Sequence, residues 1–240
     1  VAITEDSLAR FPYRSPVDRF WLAQLFRTIA AARPAALAID ILFDQPTEPA
    51  KDVILQRTLA ELAVPTIIAT ADGEGQLTPA QTAFLDGYLP VSPWVHPAWA
   101  NMLTDRDDGT VRRIFPGKLG RDGWRPGFVP ALAGLLNVTP PTTAAPFSLR
   151  PFTQQTPQGI PVYPADAVPF LPVSWLAGKV VLVGFDLPMT DRHRSSAVSL
   201  QGVRSGTIPG VVLHAHALHH VLAQTRLSAP TLFWQTLVIA

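Results

Sequence analysis

AALAIDILFDQPTEPAKDVILQRTLAELAVPTIIAT, residues 35–70, is the stretch on which the fold turns. Residues 35–43 are apolar except for Asp40, the length and continuity of a strand buried on both faces. Asp52 then opens DVILQRTLAEL, in which Val53, Leu55, Leu59 and Leu62 recur at helical spacing. An acid in that position complements the positive end of the helix dipole. PTIIAT (65–70) is a second short apolar run. Strand, helix and strand at this spacing predict a right-handed crossover, and therefore parallel strands.

The same grammar continues in both directions. Toward the N-terminus, DRFWLAQLFRTIAAA (18–32) puts Phe20 and Trp21, Leu25, and Thr28 and Ile29 on one helical face behind Pro16, and Pro34 ends it. VAIT (1–4) reads as a short strand. Toward the C-terminus, TDRDDGTVRRIFPGKL (104–119) has a turn signal in Asp108-Gly109 followed by period-two alternation, which predicts a hairpin. PGFVPALAGLL (126–136) predicts a helix, and 140–172 a proline-rich connection with short strands such as FSLRPF (147–152). KVVLVG (179–184) is again a buried parallel strand, and PGVVLHAHALHHVLA (209–223) a helix with proline at its start. The expected fold is α/β: a mostly parallel sheet with helices on both faces, a small antiparallel hairpin and a proline-rich loop insertion. One domain is expected over 1–228.

Composition narrows the function classes. Nineteen basic and 18 acidic residues leave a formal net charge of +1 with no basic block, so nothing favours nucleic acid as a partner. The chain has no cysteine, which excludes disulfides, thiolate metal sites and cysteine nucleophiles. The 25 prolines are roughly twice the average share of about 5%. The final LFWQTLVIA (232–240) is apolar and carries Trp234, a residue type common at bilayer interfaces. A span needs about 20 such residues, so 229–240 is expected to be the start of a truncated transmembrane helix.

In an open parallel sheet, ligands sit beyond the carboxyl ends of the strands. Asp40 and Asp44 follow one buried strand, Asp186 and Asp191 follow another, and His214 lies on the apolar face of the last helix. If the strands are neighbours, these groups share a rim. They would then hold a ligand or a divalent cation, with Asp40, Asp191 and His214 as the metal set. Alternatively they serve structure, bonding loop N–H groups or pairing with Arg112, Arg113 or Arg192. A phosphate loop is excluded, because Phe185-Asp186-Leu187-Pro188 after Gly184 lacks the required glycines. Asp105 to Gly109 reads as a turn and not as a calcium loop, since its fifth position is glycine. His216, His219 and His220 fall on the helix face predicted to meet solvent. No catalytic residue and no cofactor motif is read.

Taken in order, these pieces resemble the CHASE2 family. VAITEDSL and PYRSPVDR resemble its opening strand and the PxxR entry to its first helix, and LAIDILFDQP its IDxxF strand. DVILQRTLAEL resembles its DxxLxxxL helix, and DRDDGTVRR its DxDGxxRR hairpin through Asp107, Gly109, Arg112 and Arg113. GKVVLVGFDLPMTD resembles GKxVxIGxxxxxxxD, ending on Asp191, and IPGVVLHAHALHHVLA resembles xPGVxxHAxxxxxLL, with His214-Ala215. RHRSS (192–196) departs from the Thr-Pro that tends to follow the aspartate, and 140–172 matches no family motif. The resemblance implies an extracytoplasmic sensory module of a bacterial inner-membrane receptor, flanked by membrane helices. A cytoplasmic adenylate or guanylate cyclase or histidine kinase would follow. It implies an undefined small-molecule or protein stimulus, and a homodimer is a further possible partner state. Two alternatives stand beside it: a periplasmic metal-dependent hydrolase on Asp40, Asp186, Asp191 and His214, and a non-sensing dimerisation or spacer module.

Overall fold

The computed structural model describes residues 1–71, 77–120, 123–138, 147–149, 159–195 and 207–228. The apolar segment 229–240 lies outside these residues. Among them, no helix is long and apolar enough to cross a membrane.

The chain begins with β1 (Ala2–Ile3), the short α1 (Glu5–Leu8) and α2 (Arg19–Ala31), followed by β2 (Ala36–Asp40), α3 (Pro49–Glu61) and β3 (Thr66–Thr70). Next come α4 (Pro79–Tyr88) and β4 (Val95–Trp99), then β5 (Leu103–Thr104) and β6 (Thr110–Ile114). A hairpin of β7 (Gly117–Gly120) and β8 (Gly123–Pro126) leads to α5 (Phe128–Leu135) and β9 (Phe147–Ser148). A 3₁₀ turn (Ala165–Phe170) and α6 (Val173–Leu176) precede β10 (Val180–Phe185), β11 (Arg192–Ser195), β12 (Ile208–Pro209) and α7 (Gly210–Ser228).

The main sheet is five-stranded and all parallel, in the order β1-β10-β2-β3-β4. The four strands expected from sequence are all in it. The fifth, β4, occupies an edge and contains Pro97, which only an edge strand or bulge tolerates. Neither β4 nor α4 was anticipated. A signal for α4 was present, since Thr78 and Gln81 form a capping box with Pro79 at the first helical position.

Alternate residues of each central strand feed two separate cores. Leu37, Ile39, Ile68, Val181 and Val183 meet α2, α3 and α4 through Leu22, Phe26, Ile29, Leu55, Leu59 and Leu85. The opposite face offers Ala36, Ala38, Ala69 and Ala98 with Ile67 and Leu182, and it packs against α5 and α7. Small side chains on this face let those two helices approach the sheet closely. Their far side meets Val111 and Ile114 of β6.

Several boundaries differ from expectation. The helix expected from Asp52 starts at Pro49, so Asp52 is buried inside its first turn instead of capping it. Phe20 is exposed, and α2 buries Leu22, Ala23, Leu25, Phe26 and Ile29. The hairpin read at 104–119 forms across the Asp108-Gly109 turn as the antiparallel pair β5–β6, but it ends at Ile114. β5 and β6 belong to a second sheet, β12-β11-β6-β5 with β9 also on β6, whereas among the described residues β7 pairs with β8. Pro209 belongs to β12, and α7 begins one residue later.

Asp52 anchors a buried polar network on the α2–α3 side. It accepts from Thr47 N–H (2.7 Å), Thr47 Oγ1 (2.9 Å) and Tyr88 Oη (3.2 Å), and lies 3.5 Å from Nε of Arg19. Arg19 is the basic residue of the PxxR motif; it is 1% exposed and stacks over Phe43 at 4.7 Å. Removing one partner of such a pair strands a charge away from water. Asp52→Ala is therefore expected to cost about 3–5 kcal/mol in urea denaturation. Asp86→Ala, at an exposed position on α4, is expected to stay within about 0.5 kcal/mol.

Candidate functional site

β2 and β10 are neighbours, and Asp40 at the end of β2 is in register with Gly184 of β10. Gly184 is where α7 touches the sheet. A Cβ there would stand 2.6 Å from Cβ and 2.9 Å from Cγ2 of Val211, and 3.2 Å from Cβ of Asp40. The helix thus rests directly on strand backbone. Two residues after Asp40, the chain leaves the rim; Ile41 and Phe43 turn down into the core.

The loop after β10 is tied to the start of α7 in three ways. Asp186 pairs with Nη1 of Arg192 at 2.7 Å, and Nη2 of Arg192 donates to the Thr207 carbonyl at 2.9 Å. β11 and β12 pair antiparallel, Arg192 with Pro209 and His193 with Ile208. Asp191 has a left-handed φ of 52°, a conformation its short polar side chain tolerates. Its carbonyl accepts from Gly210 N–H (2.9 Å), and its Oδ1 lies 2.8 Å from Nε2 of His193. The Asp191 carboxylate occupies the space a side chain at residue 210 would need, with Oδ1 2.6 Å from an ideal Cβ. Both glycines of the family motifs are therefore required by close approach.

His214 completes the cluster from α7. Its ring packs against Phe128 of α5 at 4.7 Å, is hydrogen-bonded to the Ala100 backbone, and presents Nε2 3.9 Å from Oδ1 of Asp40. The two side chains are 7% and 9% exposed, and Oδ2 of Asp40 has no hydrogen-bond partner among the described residues. A separation of 3.9 Å is too long for a hydrogen bond. Burial, and secondly the negative charge of Asp191, push the Asp40 carboxyl well above the usual carboxylate range. Burial also drops the His214 imidazole to about 4, with Asp191 opposing and His193 reinforcing the shift. Both shifts disfavour the charged form, and so run against the ion pair that distance alone would suggest.

Asp40, Asp191 and His214 thus share one neighbourhood, as the sequence suggested. The other rim candidates lie apart. Asp44 accepts from Gln81 of α4 at 2.7 Å, on the Arg19 side of the sheet. Arg112 and Arg113 of β6 engage the turn acids: Arg112 bonds Asp105 at 2.5 Å and Asp108 at 2.6 Å, and Arg113 bonds Asp105 at 2.8 Å. The acids that hold this turn are Asp105 and Asp108, not the Asp107 picked out by the motif, and Gly109 supplies the φ of 68°. His216 and His220 are half-buried, not solvated, and His219 is exposed. His193, Phe128 and Ala100 were not foreseen, because nothing in the sequence says which residues lie above Asp191 and His214.

The arrangement is poorly suited to a metal or an anion. Among the described residues no group of three or more acids and histidines could hold a metal ion. The α7 N-terminus, which could attract an anionic group, already carries the Asp191 carboxylate. The space between His214, Phe128, Trp99 and Arg113 is about 20 Å³, room for one water and not for a small molecule. A larger, mostly apolar cavity of about 410 Å³ touches the same helix at Val211, Val212 and Ala215, with Tyr163 and Trp175 in its wall.

The chain matches the CHASE2 domain family over residues 1–240, and belongs to it. CHASE2 is a family of extracytoplasmic sensory domains, not of catalytic ones. No curated protein and no solved structure matches.

The glycine contacts give a sign test. Gly184→Ala is expected to cost about 1–3 kcal/mol, because Val211 and its helix must move. Gly134→Ala, inside α5 with nothing within 4 Å of the new Cβ, is expected to stabilise by about 0.4–1 kcal/mol. Thermal melts of the two variants beside wild type check both signs.

Proposed function

We propose that this domain senses a stimulus outside the cytoplasm for a bacterial transmembrane receptor and passes it on through α7. The observation that supports this is the seat of α7. Its first turns rest on bare strand backbone at Gly184, and they cover a buried, incompletely bonded Asp40–His214 pair. A helix held by contact and by buried polar groups can be displaced by modest free energies, and a ligand acts only through its different affinity for two arrangements. The space beside His214 among the described residues holds about one water, so the rim is read as the relay. A small apolar stimulus has room in the 410 Å³ cavity against Val211, Val212 and Ala215.

The output would be a cytoplasmic adenylate or guanylate cyclase or a sensor kinase, as in the receptors this family serves. A metal-dependent hydrolase on Asp40, Asp186, Asp191 and His214 is disfavoured because Asp186 is committed to Arg192 and Asp191 to His193. A spacer module remains as the outcome of a negative test. Alkaline phosphatase fused in the domain of the full-length protein is expected to be active, and a green fluorescent protein fusion at the same point dark. The reverse pattern overturns the location. In the full-length receptor, His214→Ala is expected to alter output as a function of stimulus while leaving basal catalysis unchanged. Superimposed curves at matched expression would make the domain a spacer.

A further inference from the structure

The rim buries two titratable groups that nothing in the proposed relay requires to be titratable. Asp40 comes from β2 and His214 from α7, so they sit on opposite sides of the helix–sheet contact. Their surroundings contain few charges to compensate a change at either. Asp191 and His193 face them from the β11 side, and Arg113 of β6 lines the small space beyond His214. β10 contributes Gly184, whose neighbour Asp186 is turned to Arg192; α5 contributes Phe128; the chain after β4 contributes the Ala100 backbone; and β12 contributes Ile208 and Pro209.

We infer that Asp40 and His214 form a proton-linked catch for α7, which seats the helix only while both side chains are uncharged. The inference rests on the relay reading for its consequence in the receptor, but the catch itself is a property of this domain. Geometry carries it. Among the described residues, Oδ2 of Asp40 has no hydrogen-bond partner to stabilise a negative charge, and the Asp40 carboxyl, 3.9 Å from Nε2 of His214, is too far to bond a positive one. Both side chains are buried, His214 at 7% and Asp40 at 9% exposed, so an ion on either is poorly hydrated while the helix is seated. Charging either group therefore favours an arrangement in which α7 is lifted and the group hydrated.

The direction of the pH response follows. Passing a proton from Asp40 to His214 leaves the number of bound protons unchanged and creates no pH dependence. Gain of one further proton, or loss of one, does. The folded His214 binds its proton less readily than the unfolded one, so its stabilisation is present above about 6.5 and is lost as pH falls toward 4. Asp40 has a raised value when folded, so its stabilisation is present below the unfolded value of about 3.9 and is lost as pH rises through the folded one. His214 thus costs stability as pH falls below about 6.5, and Asp40 as pH rises above about 3.9. In an extracytoplasmic setting, acidification would release α7 through His214.

The test is urea denaturation of the 240-residue chain from pH 4 to 9, for wild type, His214→Gln and Asp40→Asn. Other carboxylates also titrate in acid, so the reading is the difference between each variant and wild type. Between pH 6.5 and 4 the wild-type unfolding constant is expected to rise relative to that of His214→Gln by on the order of a hundredfold. Asp40→Asn is expected to gain on wild type as pH rises above about 3.9. Proton–nitrogen spectra of His214 in the wild-type chain give a second reading that needs no variant, with titration expected well below pH 6. Parallel profiles for wild type and His214→Gln, or a His214 that titrates near 6.5, overturn the catch. If the catch holds while receptor output ignores His214→Ala, the relay reading falls and the catch stands.

Discussion

The absence of a side chain at Gly184 governs the upper half of this molecule. Any larger residue would meet Val211 at 2.6 Å, and α7 would have to ride higher on the sheet. Because it does not, Val211 seals the seam between β10 and β2, and Asp40 is shut beneath the helix. His214, one turn further along α7, is thereby brought over Asp40 and under Phe128. The loop before α7 is pulled in as well, with the Asp191 carboxylate filling the space that the missing side chain of Gly210 leaves. Two glycines on two elements thus set the positions of every polar group at the rim.

The two faces of the sheet divide the work. Leucine, isoleucine and valine on the α2–α3 side bury large apolar areas, each such side chain contributing on the order of 1.5–3 kcal/mol. That side also holds the ion pair of Arg19 and Asp52, in which Asp52 accepts from Thr47 and Tyr88 and Arg19 lies over Phe43 and Tyr88. The α5–α7 side has alanines and an incompletely bonded carboxyl. Stability is concentrated on one face, and adjustable polar chemistry on the other, where it meets the helix proposed to move.

Electrostatics at the rim run against the habits of similar sheets. The carboxyl ends of parallel strands and a helix N-terminus commonly receive phosphate. Here the chain supplies its own anion in Asp191, neutralises a second in Asp186 with Arg192, and by burial pushes the carboxyl of a third, Asp40, well above the usual carboxylate range. What looks in sequence like an acidic ligand site becomes a seat in which only one unpaired-looking charge, that of Asp191, remains, and His193 bonds it.

The parallel sheet was legible in the sequence because strands buried on both faces must be continuously apolar and short, and 36–40, 66–70 and 180–185 are. Asp40, Asp191 and His214 were legible too, since Asp40 ends a strand, Asp191 lies in the loop after one, and His214 is on the apolar face of the last helix; the packing roles of Gly184 and Gly210 were not, because they depend on Val211 and Asp191 approaching from other elements. The edge strand β4 was hidden by Pro97, whose tolerance depends on having no neighbour on one side. The second sheet beyond the β5–β6 hairpin was hidden because β9, β11 and β12 are two to four residues long, and β9 and β11 owe their pairing with β6 to a partner far away in the chain. Whether a given acid is charged, paired or neutral was decided by tertiary structure alone. Asp40, Asp44, Asp52 and Asp186 are the same residue to a sequence. Their environments differ because desolvation and the nearest cation are set by packing between elements far apart in the chain, as Arg19 with Asp52 and His214 over Asp40 show.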